Sequence, residues 1–336
     1  MGIAGILKML SRVADNLYWM SRYIERAEGM ARMIQVHQSQ ALEYVQNEQQ
    51  LKEFWSPVLQ SICAESVLGD GHDIRKLGHA LIFSETYANS IFSCISFARE
   101  NARMVRDQLS EELWLELNNM YLSFRDQEAE ALYAQGSDHL LDKVTRFSLV
   151  FQGLADATIP HGEGWRFLTL GKYLERADQT SRMLDTLNLR SKESTRADLM
   201  SVLSCCIALS AFRQQFRGNL SLPNVANFLL FSEDFPRSIR FCIRSIDRIL
   251  HSISGVPAGT FSNEAERLTG STLAMVNFTD WNQVKAKGLH ETLDELQSTL
   301  IEIGQYVFET YVLLPSEIKS LGERSSAQFI QAQQQQ

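Results

Sequence analysis

The sequence predicts an all-α fold: a helical bundle built from two tandem homologous repeats related by pseudo-two-fold symmetry. Three observations predict it. Only 6 prolines punctuate the 336 residues, apolar residues recur at helical spacing with no sustained period-two alternation, and one charged stretch occurs twice. That stretch is Arg22-Tyr-Ile-Glu-Arg-Ala-Glu-Gly-Met-Ala-Arg-Met33, which returns as Lys172-Tyr-Leu-Glu-Arg-Ala-Asp-Gln-Thr-Ser-Arg-Met183 with six of twelve positions identical. Charge and shape also persist at Arg22/Lys172, Ile24/Leu174 and Glu28/Asp178.

In chain order, the first helix is expected to begin near Ser11, where Ser11 and Asp15 can supply oxygens to unpaired amides, and to reach about Asn47. Glycine, proline and small polar residues place breaks at 69–73, 135–138, 159–164, 190–195, 217–219 with Pro223, and 254–259. A second duplicated block, Leu81 to Ile95 against Leu229 to Ile243, is identical at eight of fifteen positions. Its offset is 148 residues against 150 for the first block, so order and spacing are both preserved. Each copy has a Ser-Glu turn followed by a capping-type residue, Thr86 or Asp234, and Pro236 suits a first helical turn, which places a helix start there. The apolar run Leu199 to Phe212 reads as one buried helix, too short for a membrane span of roughly 18 to 20 residues. The Gln-rich end, Gln331 to Gln336, reads as a frayed tail.

Composition excludes several functions. Apolar residues at 45% and charged residues at 21% are the balance of a folded soluble chain, and a formal charge of -8 argues against nucleic acid or anionic membrane as the main partner. Five cysteines, Cys63, Cys94, Cys205, Cys206 and Cys242, lack any Cys-x-x-Cys spacing, which suits a reducing, cytoplasmic setting. The start Met1 to Lys8 is too short for a secretory signal. No metal or cofactor is expected: the seven histidines form neither a His-Glu-x-x-His motif nor the Glu-x-x-His pairs of a di-metal bundle, and no phosphate-binding glycine loop with Lys occurs.

The polar residues of the repeat are the candidate site. Successive helical residues lie about 100° apart, so Glu25 and Arg26 cannot satisfy each other, nor can Glu175 and Arg176. Glu28 with Arg32, and Asp178 with Arg182, have the favourable acid-first spacing of four, which as a plain feature is a solvated charged face. If the two helices meet, Glu25 can pair with Arg176 and Glu175 with Arg26; otherwise Glu25, Glu175, Arg22 and Arg182 line a shared cleft. A third polar cluster, Arg99, Asn101 and Arg103, is placed to face such a cleft.

These residues carry a family resemblance. Leu10-Ser-Arg-Val-Ala-Asp-Asn-Leu-Tyr-Trp-Met-Ser-Arg-Tyr-Ile-Glu-Arg-Ala-Glu28 resembles the opening signature of the bacterial alpha-E family, named for its helical content and Glu-Arg motif. Trp165 to Asp178, Phe235-Pro-Arg-Ser-Ile239 and Ala98-Arg-Glu-Asn-Ala-Arg103 are similar to further family segments, over about Met9 to Leu314. Lys172 stands where the family usually has Arg, which keeps the charge and loses the bidentate fork. The resemblance implies one alpha-E domain, with repeats at 9–158 and 159–314, an extension at 1–8 and a tail at 315–336. It also implies encoding beside a circularly permuted ATP-grasp ligase and a transglutaminase-like peptidase, hence a setting of peptide or amide-bond formation.

The resulting expectation is a non-catalytic helical partner, binding the ligase or its peptide substrate through a polar groove. The alternatives are an enzyme acting on a peptide or amide with Glu25 or Glu175 as general base, and a purely structural scaffold.

Overall fold

Residues 3–44, 47–64, 74–189 and 194–313 are described by a computed structural model of the chain. Among them the regular structure is helical and no strand occurs. The first half contains α1 (Ile3–Tyr44), α2 (Glu48–Ser61), α3 (Ile74–Phe83), α4 (Ile91–Met104), α5 (Glu111–Arg125), α6 (Glu128–Gln135) and α7 (Ser137–Thr158). The second contains α8 (Glu163–Asp185), α9 (Arg196–Cys205), α10 (Leu209–Phe216), α11 (Leu222–Phe231), α12 (Ile239–Ser254), α13 (Glu264–Phe278), α14 (Trp281–Lys287) and α15 (Leu289–Tyr311).

The axis of the molecule is α1, 42 residues long. It begins at Ile3 rather than Ser11, since no proline upstream stops the helix, and it ends before Asn47. Asn47 instead caps α2, its side chain accepting from Gln50 N at 2.9 Å. Helices α4, α7 and α8 pack around α1, so it is buried at Leu17, Met20, Ile24, Ala27, Ala31 and Ile34, a spacing of three and four that faces several neighbours at once. In the second half α12 and α15 pack on α8. One continuous hydrophobic core, from Ala14 to Val307, unites residues of both halves.

The breaks expected at 135–138, 159–164, 217–219 and 254–259 occur, at Gly136, Pro160 to Gly162, Arg217 to Asn219 and Gly255 onward. Those at 69–73 and 190–193 lie outside the described residues, as does the tail from 314. Leu199 to Phe212 is not one helix. Ile207 takes a left-handed φ of 55°, and the amides of Ile207 and Ala208 bond back to Ser204 O and Leu203 O, ending α9 and turning α10 by 119°. Among the described residues no single helix is long and apolar enough to cross a membrane; this bent pair meets the requirement only when its two helices are taken together, by length and composition only.

The helices of the second repeated block start four residues later than Thr86 and Asp234 suggest. Ser90 and Ser238 are the caps, their hydroxyls accepting from Ser93 N at 3.0 Å and Phe241 N at 3.1 Å. Each also donates to a carbonyl six residues back, Ser84 O and Ser232 O, both at 2.5 Å, which closes the preceding turn. Asn89 and Arg237 are thereby left outside their helices.

Candidate functional site

Helices α1 and α8, which carry the two similar Glu-Arg segments, meet face to face. Contacts between α1 and α8 join residues 149 to 154 apart along both helices, so the helices advance in the same sense nearly in register. Their approach depends on Gly171: a Cβ there would lie 2.3 Å from the Tyr18 backbone oxygen. At the other end of the contact a Cβ on Gly29 would overlap the Gln179 side chain.

The expected reciprocal pairs are both present. Arg26 binds Glu175 with two nitrogens, Nε to Oε1 at 2.6 Å and Nη2 to Oε2 at 2.9 Å, and Arg22 Nε adds a contact to Oε2 at 2.8 Å. Burial alone would raise the Glu175 carboxyl, but Arg26 and Arg22 outweigh it and hold the group at about 2. Across the contact, Arg176 Nε binds Glu25 Oε1 at 2.7 Å, and Gln152 of α7 donates to Glu25 Oε2 at 2.8 Å. Gln179 Nε2 donates to the Glu25 carbonyl at 3.1 Å, tying the backbones as well.

Arg237 completes this half. Its Nη1 lies 2.9 Å from Glu25 Oε1 and its Nη2 donates to Glu28 Oε1 at 3.0 Å. Glu28 also receives Arg32 Nε at 2.9 Å and the Ser148 hydroxyl at 2.8 Å. Burial opposes its ionisation, yet Arg237 and Arg32 hold its carboxyl below the usual range. Glu28 is fully buried, so the pair with Arg32 is no solvated face: α4, α7 and α8 enclose α1 there. Asp178 and Arg182 repeat the spacing at 2.8 Å and keep more contact with solvent, at 15% and 24% side-chain exposure.

Two cavities flank the Glu175 half. One of about 510 Å³ is bounded by Arg22, Arg26, Asp178 and Arg182 on its polar side and by Phe167, Leu174, Leu300 and Phe308 on its apolar side. A second, of about 180 Å³, lies among Met30, Cys63, Asn89, Asp178, Gln179 and Arg182. Arg26, Asp178 and Arg182 border both. Among the described residues no cluster of His, Cys, Asp and Glu has the arrangement of a metal site.

Residues 9–312, nearly the whole chain, match alpha-E, described as a predicted alpha-helical domain with a conserved ER motif. The chain belongs to the alpha-E family. It is similar to Uncharacterized protein Mb2597 of Mycobacterium bovis, 25% identical over 341 residues. It resembles Uncharacterized protein Rv2567 of Mycobacterium tuberculosis at 24% identity over 341 residues. Each match covers 92% of this chain and 38% of the relative, so the chain spans about two fifths of the length of the curated relatives it matches. No solved structure matches it.

Not every sequence-derived candidate joins the Glu-Arg network of this alpha-E chain. Arg99 turns toward α5, bonding Asn118 Oδ1 at 3.2 Å and lying 4.7 Å from the Tyr121 ring, and Arg103 is exposed beside Glu100. Asn101 is half-buried on the same helix. That face of α4 packs on α5, which is why the cluster does not reach the network. Lys172, the counterpart of Arg22, lies 4.9 Å from the Tyr173 ring. Burial, reinforced by Arg176, pushes its ammonium down. Arg237, Asn89, Gln152 and Ser148 are network residues that local spacing missed. Arg237 and Asn89 had a signal, since the second repeated block sets them opposite each other; Gln152 and Ser148 lie outside both blocks.

Proposed function

We propose that this alpha-E chain is a non-catalytic helical partner in a bacterial system that forms peptide or amide bonds, binding a circularly permuted ATP-grasp ligase, a transglutaminase-like protein or their peptide substrate. We further infer that its halves descend from a duplication, related by a pseudo-two-fold axis between α1 and α8, and that it works in the reducing cytoplasm. The observation that carries this reading is the saturation of the central carboxylates. A general base needs a free lone pair and a pKa near the working pH. Glu175, whose oxygens are both engaged by arginines that hold it at about 2, is far from such a pKa, and both Glu25 oxygens are occupied. The length of the relatives, of which the matched part is only 38%, supports a unit that acts beside other protein. The structural alternative is favoured by the same ion pairs, in which case the outer surface alone meets partners.

The test is reconstitution. The chain alone is expected to turn over no peptide or amide, to co-elute with the ATP-grasp ligase encoded beside it, and to raise amide ligation by that protein. Glu175→Gln and Glu25→Gln variants should weaken complex and ligation together. Failure of the intact chain both to form a complex and to alter ligation defeats the partner reading.

A further inference from the structure

The Glu-Arg network is complete on one side and incomplete on the other. Glu25 and Glu28 use all their oxygens, on Arg176, Arg237 and Gln152 and on Arg32, Arg237 and Ser148 respectively. Glu175 is likewise held by Arg22 and Arg26. Asp178 is not: Oδ2 accepts from Arg182, while Oδ1 is buried without a hydrogen-bond partner. A buried acceptor left unpaired is unfavourable and calls for a physical reason. Asn89 supplies one. It precedes Ser90 as Arg237 precedes Ser238, but its short neutral amide accepts from Arg26 Nη1 at 2.9 Å, where Arg237 reaches two carboxylates. The missing guanidinium leaves an unfilled acceptor, and it leaves it on the side where the two cavities lie.

The same rim has donors to spare. A guanidinium carries five N–H bonds. Arg22 donates from Nε to Glu175 and from Nη1 to Tyr18, and Arg182 from Nε to Asp178 and from Nη1 to Ser61 O. Three arginines border the larger cavity, against Asp15 and Asp178 on its wall and Glu175 behind Arg22 and Arg26. The signs balance, so neither a lone anion nor a lone cation is favoured by net charge. A group that brings an acceptor and a donor together suits both halves of the rim, and the remaining wall is apolar. The volume of about 510 Å³ falls in the roughly 300–1,000 Å³ range of small-molecule sites.

We propose that the larger cavity binds the carboxylate end of an apolar amino acid, free or as the last residue of a peptide. The carboxylate lies on Arg22 and Arg182, the α-nitrogen donates to the Asp178 carboxylate on the cavity wall, and the side chain rests against Phe167, Leu300 and Phe308. This names a substrate class for the binding role proposed above and rests on that reading.

Calorimetric titration of the intact chain at neutral pH tests it, with phenylalanine, a peptide ending in phenylalanine, the same peptide amidated at its C-terminus, and octanoate. Binding of phenylalanine or the free-ended peptide is expected, lost at least tenfold on amidation and at least tenfold with octanoate, which lacks the nitrogen. Tighter binding of the peptide identifies a peptide C-terminus as the source, and tighter binding of phenylalanine the free amino acid. Arg182→Gln should weaken the carboxylate ligands and leave the amidated peptide unchanged. Equal binding of free and amidated peptide, equal binding of octanoate, or no binding to folded protein overturns the proposal. Ligand binding here needs no ligase, so it can fail while complex formation survives, and the reverse.

Discussion

Arg237 bridges two carboxylates of one helix, its Nη1 2.9 Å from Glu25 and its Nη2 3.0 Å from Glu28. It comes from the loop before α12 and so ties the second half of the chain to the central helix of the first. Thr180 fixes that loop by donating to the Arg237 carbonyl at 2.8 Å. Removing the guanidinium would leave two buried anions short of a partner. Breaking a buried pair in this way costs about 3–5 kcal/mol. Arg237→Met is therefore expected to lower the urea midpoint strongly, and Arg237→Lys to restore only part, because one ammonium cannot copy the span of a fork. A midpoint unchanged in Arg237→Met would show that the bridge contributes nothing to stability.

Acid should weaken the same centre through Glu175. Its carboxyl is held at about 2 in the fold against an ordinary 4.5. A depressed carboxyl stabilises the fold fully above the unfolded value, and that contribution is lost as pH falls through the folded one. Stability should thus decline between pH 4.5 and about 2. Glu175→Gln should be less stable at neutral pH and should flatten this part of the profile, measured as unfolding free energy against pH.

The helical class was legible because helices write their period into the chain, and the Glu-Arg pairing was legible because the two similar Glu-Arg segments lie where two helices touch. Local chain breaks were harder. Cys63 and Ile207 both take left-handed φ near 55° and end α2 and α9 with backbone bonds, yet neither is the glycine or asparagine that marks such a stop. Thr86 and Asp234 looked like caps because Ser, Thr and Asp are interchangeable in sequence, whereas Ser90 and Ser238 alone reach both the new helix and the old turn. Gln152 and Ser148 could not be found at all, since their role exists only once α7 packs on α1.

Gly171 offers a test of the helix contact itself. A methyl group there would stand 2.3 Å from the Tyr18 backbone oxygen, and a backbone cannot move aside as a side chain does. Overpacking of this kind costs typically 1–3 kcal/mol or somewhat more. Gly171→Ala should therefore destabilise the chain in thermal unfolding. Gly153, exposed in α7 with nothing within 4 Å of an added Cβ, is the control. Gly153→Ala should stabilise by about 0.4–1 kcal/mol. If the two substitutions behave alike, α1 and α8 do not meet as closely as described.

The thiols should divide sharply by reactivity. Cys94, Cys206 and Cys242 are buried, and burial pushes each thiol up to about 12, while Cys205 is raised further by burial and by its neighbour Cys206. Thiolate is the reactive form, so these four should resist a thiol reagent in the native state. Cys63 is exposed, at the left-handed end of α2 on the wall of the smaller cavity. Ellman titration at pH 8 should count one fast thiol in native protein and all five in denaturant, and Cys63→Ser should remove the fast one alone. An apolar carboxylate ligand seated in the neighbouring cavity should slow Cys63 only if the two cavities communicate past Arg26 and Arg182, which makes the rate at this one sulfur a direct readout of traffic between them.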